Sequence, residues 1–305
     1  MNPRLWDDFI SKPTLSIERT KLIDGADAVF TMGSCFALEI RHAFKRMGRL
    51  ALPDYLAVDF DPATQIFDKI PERDLTPHYD TFVIRQEFEA ALGLWPDRDD
   101  GVWPVRDAPV NKVLNREEVY QDPYRKMVYA VSPELLNTLS HRITSVLKDG
   151  IEKSRVLVIT LGLTEVWQHN KTSKYLCRPP GTGYGGGVGL ATFRQSTFVE
   201  NYDNVKATLD LLFEHFPEKD VVLTVSPVPL AATYSNTDVA TANLESKSIL
   251  RSVAGQICRE YKNAHYFPSF EMANVMPWPV FQEDRRHVLP EFADRVTATF
   301  EKMFM

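Results

Sequence analysis

The sequence predicts an α/β protein built on an open parallel sheet with helices on both faces. Three observations predict it. Four runs, "AVFTM" (28–32), "RVLVITL" (155–161), "DVVLTV" (220–225) and the shorter "AHYF" (264–267), are almost continuously apolar and β-branched, as strands covered on both faces are. Amphipathic segments lie between them. Small and polar residues gather just past the runs, at the carboxyl ends of the strands, where sheets of this kind bind ligands.

The elements follow in order. After Ser34, the residues Ala37, Ile40, Phe44 and Met47 recur at helical spacing and Gly48 follows as a stop. "SPELLNTLSHRITSVLKDG" reads as a helix with Pro133 at its first position and Gly150 past its end. "STFVENYDNVKATLDLLFEHF" aligns Phe198, Tyr202, Val205, Leu209 and Phe213 in one stripe, and "NLESKSILRSVAGQICREY" and "PEFADRVTATFEKMF" complete the helical set. The loops expected at the strand ends are Gly33-Ser34-Cys35, Gly162-Leu163-Thr164-Glu165, Ser226-Pro227-Val228-Pro229 and Pro268-Ser269-Phe270-Glu271.

Residues 1–305 read as a single domain, with an insertion or cap at about 50–127 that breaks the alternation. That stretch is rich in Pro, Asp, Arg and aromatics: Tyr55, Phe60, Phe67, Tyr79, Phe82, Phe88, Trp95, Trp103, Tyr120 and Tyr124. Most of these rings are expected to form the insertion's own core; the alternative is that they line a substrate groove.

Composition excludes several classes. The net charge is -6, from 35 basic and 41 acidic residues, with no basic block of the kind a nucleic-acid binder carries. No run of eighteen apolar residues predicts a membrane span, and "MNPRLWDDFISKPTLSIERTK" has no apolar leader core, so a cytoplasmic location is expected. Three cysteines, Cys35, Cys177 and Cys258, are odd in number and far apart, which fits neither a disulfide framework nor a zinc cluster. No metal or other cofactor is implied. The glycine-rich "RPPGTGYGGGVG" (178–189) lacks the phosphate-loop pattern and reads instead as a mobile loop over the site.

The strand-to-helix turn at Ser34 has two readings. A serine there is a common helix N-cap. A hydroxyl in that position also points into the crevice, beside the free N–H groups and positive partial charge of a helix N-terminus, which would stabilise an oxyanion. Cys35 is the rival nucleophile, since the same field lowers a thiol pKa. A nucleophile needs a base and the base an orienter. Of seven histidines, His42, His141 and His215 fall within helices, whereas His78, His169 and His265 have no acidic partner in an evident turn. His287 differs: Asp284 precedes it by three residues in "QEDRRHVLPEF", a spacing that lets a carboxylate hold the imidazole Nδ1–H. Glu165 is open to two roles, a catalytic carboxylate or, as the safer reading, an ion-pair partner of Arg178 or of an arginine in the "RRH" turn.

"GSCFA" (33–37) resembles the signature of the GSCFA family, itself similar to the SGNH/GDSL hydrolases, which share a flavodoxin-like sheet. "ITLGLTEVW" (159–167), "LTVSPVPL" (223–230), "YFPSFE" (266–271) and "EDRRH" (283–287) resemble family segments as well. The resemblance implies Ser34 as nucleophile, His287 as general base, Asp284 as its orienter, and the Ser34 backbone N–H as an oxyanion donor. In the superfamily's third block an Asn supplies another donor. Here the run is Gly162-Leu163-Thr164-Glu165, so Cys35, Gly162, Thr164 and Glu165 become the oxyanion or substrate-binding candidates. The implied activity is that of a serine-dependent esterase or O-acyltransferase, acting through an acyl-enzyme on an ester, most simply an O-acetyl group, of a carbohydrate or polysaccharide precursor. The missing Asn keeps open a non-catalytic glycan- or partner-binding module on the same fold.

Overall fold

The computed structural model describes residues 5–11, 13, 15, 19–58, 77–95, 102–126, 128–182 and 186–305. A short helix α1 (Trp6–Ser11) precedes strand β1 (Ala28–Gly33), helix α2 (Cys35–Arg46) and strand β2 (Ala51–Leu52). Then come α3 (Thr81–Ala91), β3 (Trp103–Val105), α4 (Pro109–Leu114), β4 (Val119–Gln121), β5 (Tyr129–Ala130), α5 (Pro133–Lys153), β6 (Ser154–Leu161), β7 (Glu165–His169) and β8 (Ala191–Gln195). The chain closes with α6 (Phe198–His215), β9 (Asp220–Val225), α7 (Val239–Glu260), β10 (Ala264–Tyr266), α8 (Ser269–Val275) and α9 (Pro290–Phe304). No described helix is long and apolar enough to cross a membrane.

The main sheet has five parallel strands in the order β10-β9-β6-β1-β2. Counted along the chain that order is 2-1-3-4-5, the flavodoxin-like arrangement, whose ligand crevice opens where the winding reverses, between the first and third strands. Here those strands are β1 and β6, paired from Ala28↔Ser154 to Gly33↔Thr160. Side chains alternate across the sheet. Phe30, Met32, Leu157, Ile159, Leu223 and Val225 pack under α3, α5, α6 and α7, while Val29, Val156, Val158 and Val222 pack under α2 and α9. Two cores with helices on both faces result, and the period of two in each run decides which residue joins which core.

Helix starts follow the sequence chemistry. Asp80 accepts from the Phe82 and Val83 N–H groups, Thr197 and Glu200 form a capping box, and Asp238 accepts from Ala240 and Thr241. Gly150 departs from expectation. It lies inside α5 rather than past its end, because a Cβ there would meet Phe30 and Pro53 at 3.2–3.3 Å; the glycine lets the helix sit close to the sheet.

The stretch 50–127 divides. β2 is the edge strand of the main sheet, and α3 belongs to its core, with Phe88 edge-on to Phe30 at 6.3 Å. β3 and β4 join β5, just past the stretch, in a three-stranded antiparallel sheet. Trp95, Trp103 and Tyr124 form a separate small core with Leu176. Phe60 and Phe67 lie outside the described residues. A buried bidentate pair staples this part to the main body: Arg125 donates to both Glu87 carboxylate oxygens at 3.0 and 2.6 Å, and to the Ser140 carbonyl and Thr144 hydroxyl of α5.

Candidate active site

A cavity of about 400 Å³ opens at the carboxyl ends of β1, β6 and β9. Ser34 and Cys35 come to it from the end of β1, Gly162 and Leu163 from β6, and Ser226 and the 228–234 loop from β9. Tyr79, Lys126, Arg178, Pro179, Thr182, Lys247 and Arg286 complete the wall.

Two glycines make the β1–β6 junction possible. Gly33 has a φ of +130°, and a Cβ on it would strike the Thr160 carbonyl. Gly162 lies against Ser34, where a Cβ would sit 3.2 Å from the Ser34 Cβ and 2.5 Å from the Tyr79 carbonyl oxygen. Arg41 locks α2 onto β1, donating to the Thr31 hydroxyl at 2.9 Å and the Thr31 carbonyl at 2.7 Å.

Ser34 is both a helix cap and part of the cavity wall. Its Oγ accepts from the Phe36 N–H at 3.3 Å as the α2 cap, and the residue, 2% exposed, lines the cavity. The oxyanion donor expected from its own backbone is occupied, since the Ser34 N–H donates to the Thr160 carbonyl at 3.1 Å. The Gly162 and Leu163 N–H groups both donate to the Tyr79 carbonyl, at 3.0 and 2.9 Å. Cys35 lines the cavity beside Ser34.

Thr164 and Glu165 do not reach this cavity. The Thr164 hydroxyl bonds the Ser246 hydroxyl at 2.8 Å and its carbonyl accepts from Ser196, so it ties β6 to α7 and to the start of α6. Glu165 pairs with neither Arg178 nor the "RRH" arginines among the described residues. It accepts from the Thr233 hydroxyl and, at 3.0 Å, from the Tyr234 N–H. The carboxylate thereby holds the loop that carries Tyr234 into the cavity wall.

Asp284 and His287 form the turn that their spacing predicts. One Asp284 oxygen accepts from the Arg286 and His287 N–H groups at 2.9 and 3.0 Å, and the other bonds His287 Nδ1. The Arg286 N–H and then the His287 ring hold the Asp284 carboxyl down at about 2. Arg285 takes a left-handed conformation, φ 55°, to close the turn. Arg286 from this turn lines the cavity; no hydrogen bond joins His287 to Ser34 among the described residues.

Two other histidines have acidic partners from outside their own turns. His78 Nε2 lies 3.5 Å from Glu87, and His265 Nε2 lies 3.1 Å from Asp220. Those carboxylates come from other elements, which a search of local turns does not reach.

The sequence reading missed Lys247. It is 2% exposed, its Nζ donates to the Gly162 carbonyl at 2.6 Å, and burial pushes its pKa down to about 7. A signal was present: Lys247 falls on the buried stripe of α7 with Ser246, Leu250, Val253 and Ala254, where an unpaired lysine is out of place.

The GSCFA family model matches residues 28–300. The chain belongs to the GSCFA family. Among solved structures, it is similar to a family 3 carbohydrate esterase of Clostridium thermocellum, at 8% identity and a TM-score of 0.35, over 91% of this chain and 94% of that one. A second similar structure is a carbohydrate esterase family 2 enzyme with a carbohydrate-binding domain from Corynascus thermopiles (Myceliophthora fergusii), at 15% identity and a TM-score of 0.29. That match covers 49% of this GSCFA chain and spans 36% of the other chain's length. No curated protein matches the sequence.

Proposed function

We propose that this GSCFA protein performs serine-dependent ester chemistry, as an esterase or O-acyltransferase on a carbohydrate ester. The observation that carries the reading is Ser34 itself: a hydroxyl at the N-terminus of α2, at the carboxyl end of β1, in the wall of a substrate-sized cavity. The Asp284–His287 pair supports it, because Nδ1 is taken by the carboxylate and Nε2 is left as the ring atom for proton transfer. The carbohydrate part rests on the family resemblance and on the aromatic residues Tyr79 and Tyr234 in the wall.

In this mechanism Ser34 Oγ attacks the ester carbonyl and His287 Nε2 takes its proton. The tetrahedral intermediate collapses, the proton passes from His287 to the departing alcohol, and an acyl-Ser34 ester remains. Water or a sugar hydroxyl then attacks that ester with His287 again as base, which regenerates Ser34. Nε2 must approach Oγ when substrate is bound; catalytic hydrogen bonds commonly tighten only in the complex.

A second reading is a non-catalytic glycan- or partner-binding module. The engagement of the Ser34 and Gly162 N–H groups by backbone carbonyls favours it. A fluorophosphonate probe separates the two. Labelling that Ser34→Ala and His287→Ala abolish, and Cys35→Ala retains, is the outcome expected for the enzyme. A folded wild type that takes no label makes Ser34 a helix cap and moves the binding module to the front.

A further inference from the structure

The chain carries a net charge of -6, yet its candidate active-site cavity has the opposite sign. Lys126, Arg178, Lys247 and Arg286 all line it, and no carboxylate is among the described lining residues. Arg178 comes from the start of the glycine-rich loop, Arg286 from the Asp284 turn and Lys126 from the segment after β4, so three distant parts of the chain converge on the cavity that Ser34 lines.

Among the described residues, Arg178 Nη1 and Arg286 Nε are buried without a hydrogen-bond partner, and both side chains belong to the cavity wall. Arg178 is nonetheless fixed, since its Nη2 donates to the Tyr129 hydroxyl at 2.8 Å. A buried guanidinium N–H without an acceptor is costly, and its natural acceptor is an oxyanion, which the planar fork engages in preference to a neutral oxygen. The N-terminus of α2, capped by Ser34, adds a positive partial charge to the same cavity.

We propose that Arg178, Arg286 and Lys126 form an oxyanion subsite that selects ester substrates bearing a carboxylate or phosphate group. This rests on the ester-chemistry reading above and names the substrate class for the same site. The acyl carbonyl would sit at Ser34 while the anionic group of the sugar occupies the guanidinium side. In a protein of overall negative charge, such a pocket concentrates anions locally where the rest of the surface repels them.

Calorimetric titration of the full chain with glucuronate, glucose 6-phosphate and glucose tests the subsite directly. At least one anionic sugar is expected to bind, at least about tenfold tighter than glucose and more weakly as salt rises; which one binds tighter separates carboxylate from phosphate recognition. Arg178→Gln and Arg286→Gln are each expected to weaken that binding roughly tenfold to a hundredfold, with Arg286→Lys in between. Equal binding of all three sugars overturns the proposal, as does undiminished anion binding by both folded glutamine variants. If those variants do not fold, the comparison of three sugars on the wild type decides alone. Fluorophosphonate labelling run in parallel keeps the two ideas apart. Anion binding without labelling retains the subsite and removes the ester chemistry; labelling without anion preference does the reverse.

Discussion

Gly162 lies so close to Ser34 that a Cβ on it would stand 3.2 Å from the Ser34 Cβ. The same Cβ would press within 2.5 Å of the Tyr79 carbonyl, which receives the Gly162 and Leu163 N–H groups. One absent side chain therefore sets the distance between the ends of β1 and β6 and the shape of the cavity floor.

Gly162→Ala is expected to push these strand ends apart. Overpacking at such a position costs about 1–3 kcal/mol, and the displacement falls on Ser34. A lowered melting temperature together with lost fluorophosphonate labelling is the expected result. A variant that melts and labels like the wild type sinks this account of the glycine.

Asp284→Asn removes the carboxylate that holds His287 Nδ1 and keeps the side chain's size. In Ser-His-Asp triads the equivalent change lowers turnover on the order of ten-thousandfold. The rate of probe labelling is expected to fall steeply while the melting temperature changes little, because the turn is solvent-exposed. Unchanged labelling would show that the pair only closes its turn.

Glu87→Ala leaves the Arg125 guanidinium buried without its anion. Removing one partner of a buried ion pair costs about 3–5 kcal/mol, and here both partners are almost wholly inaccessible. Urea denaturation is expected to show a loss of that order. The antiparallel part that carries Lys126 should loosen with it, read as faster amide exchange around β4 and β5.

Asp80 gives a pH dependence with a definite sign. Burial pushes its carboxyl up to about 7, against the N–H groups of Val83 and Phe82 that pull it down. The folded state therefore binds a proton that the unfolded chain has already released between about pH 4 and 7. Stability from this group is complete below about pH 4 and is lost as pH rises toward 7. Asp80→Asn keeps an acceptor for the cap and removes the titration, so the variant should gain on the wild type across that window in denaturation measured from pH 4 to 8. A constant gap would mean that Asp80 is ionised throughout.

The strands and the long helices were legible because their signals are local. β1, β6, β9 and β10 fall on the four apolar runs within a residue or two, and the pleat then sorts Phe30 and Met32 from Val29 without further information. The Asp284–His287 bond was legible for the same reason, being a contact across three residues. Gly150 was misread because a glycine near a helix end looks like a stop, whereas its neighbours Phe30 and Pro53 come from elsewhere in the chain. Within the 50–127 stretch, the packing of α3 on β1 was not legible, because Phe88 meets Phe30 from a distant part of the chain.

The sequence by itself determined the layered sheet, the position of Ser34 at the end of β1 and the local turn that joins Asp284 to His287. Hydrophobic periodicity, capping and turn chemistry act over a few residues, so they can be read from a few residues. Only the tertiary structure decided that Glu165 braces Tyr234, that the Ser34 and Gly162 N–H groups are already engaged, and that Lys247, Arg178 and Arg286 meet at one cavity. Those outcomes depend on which distant carbonyls and charges the packed sheet brings within about 3 Å, the reach of a hydrogen bond.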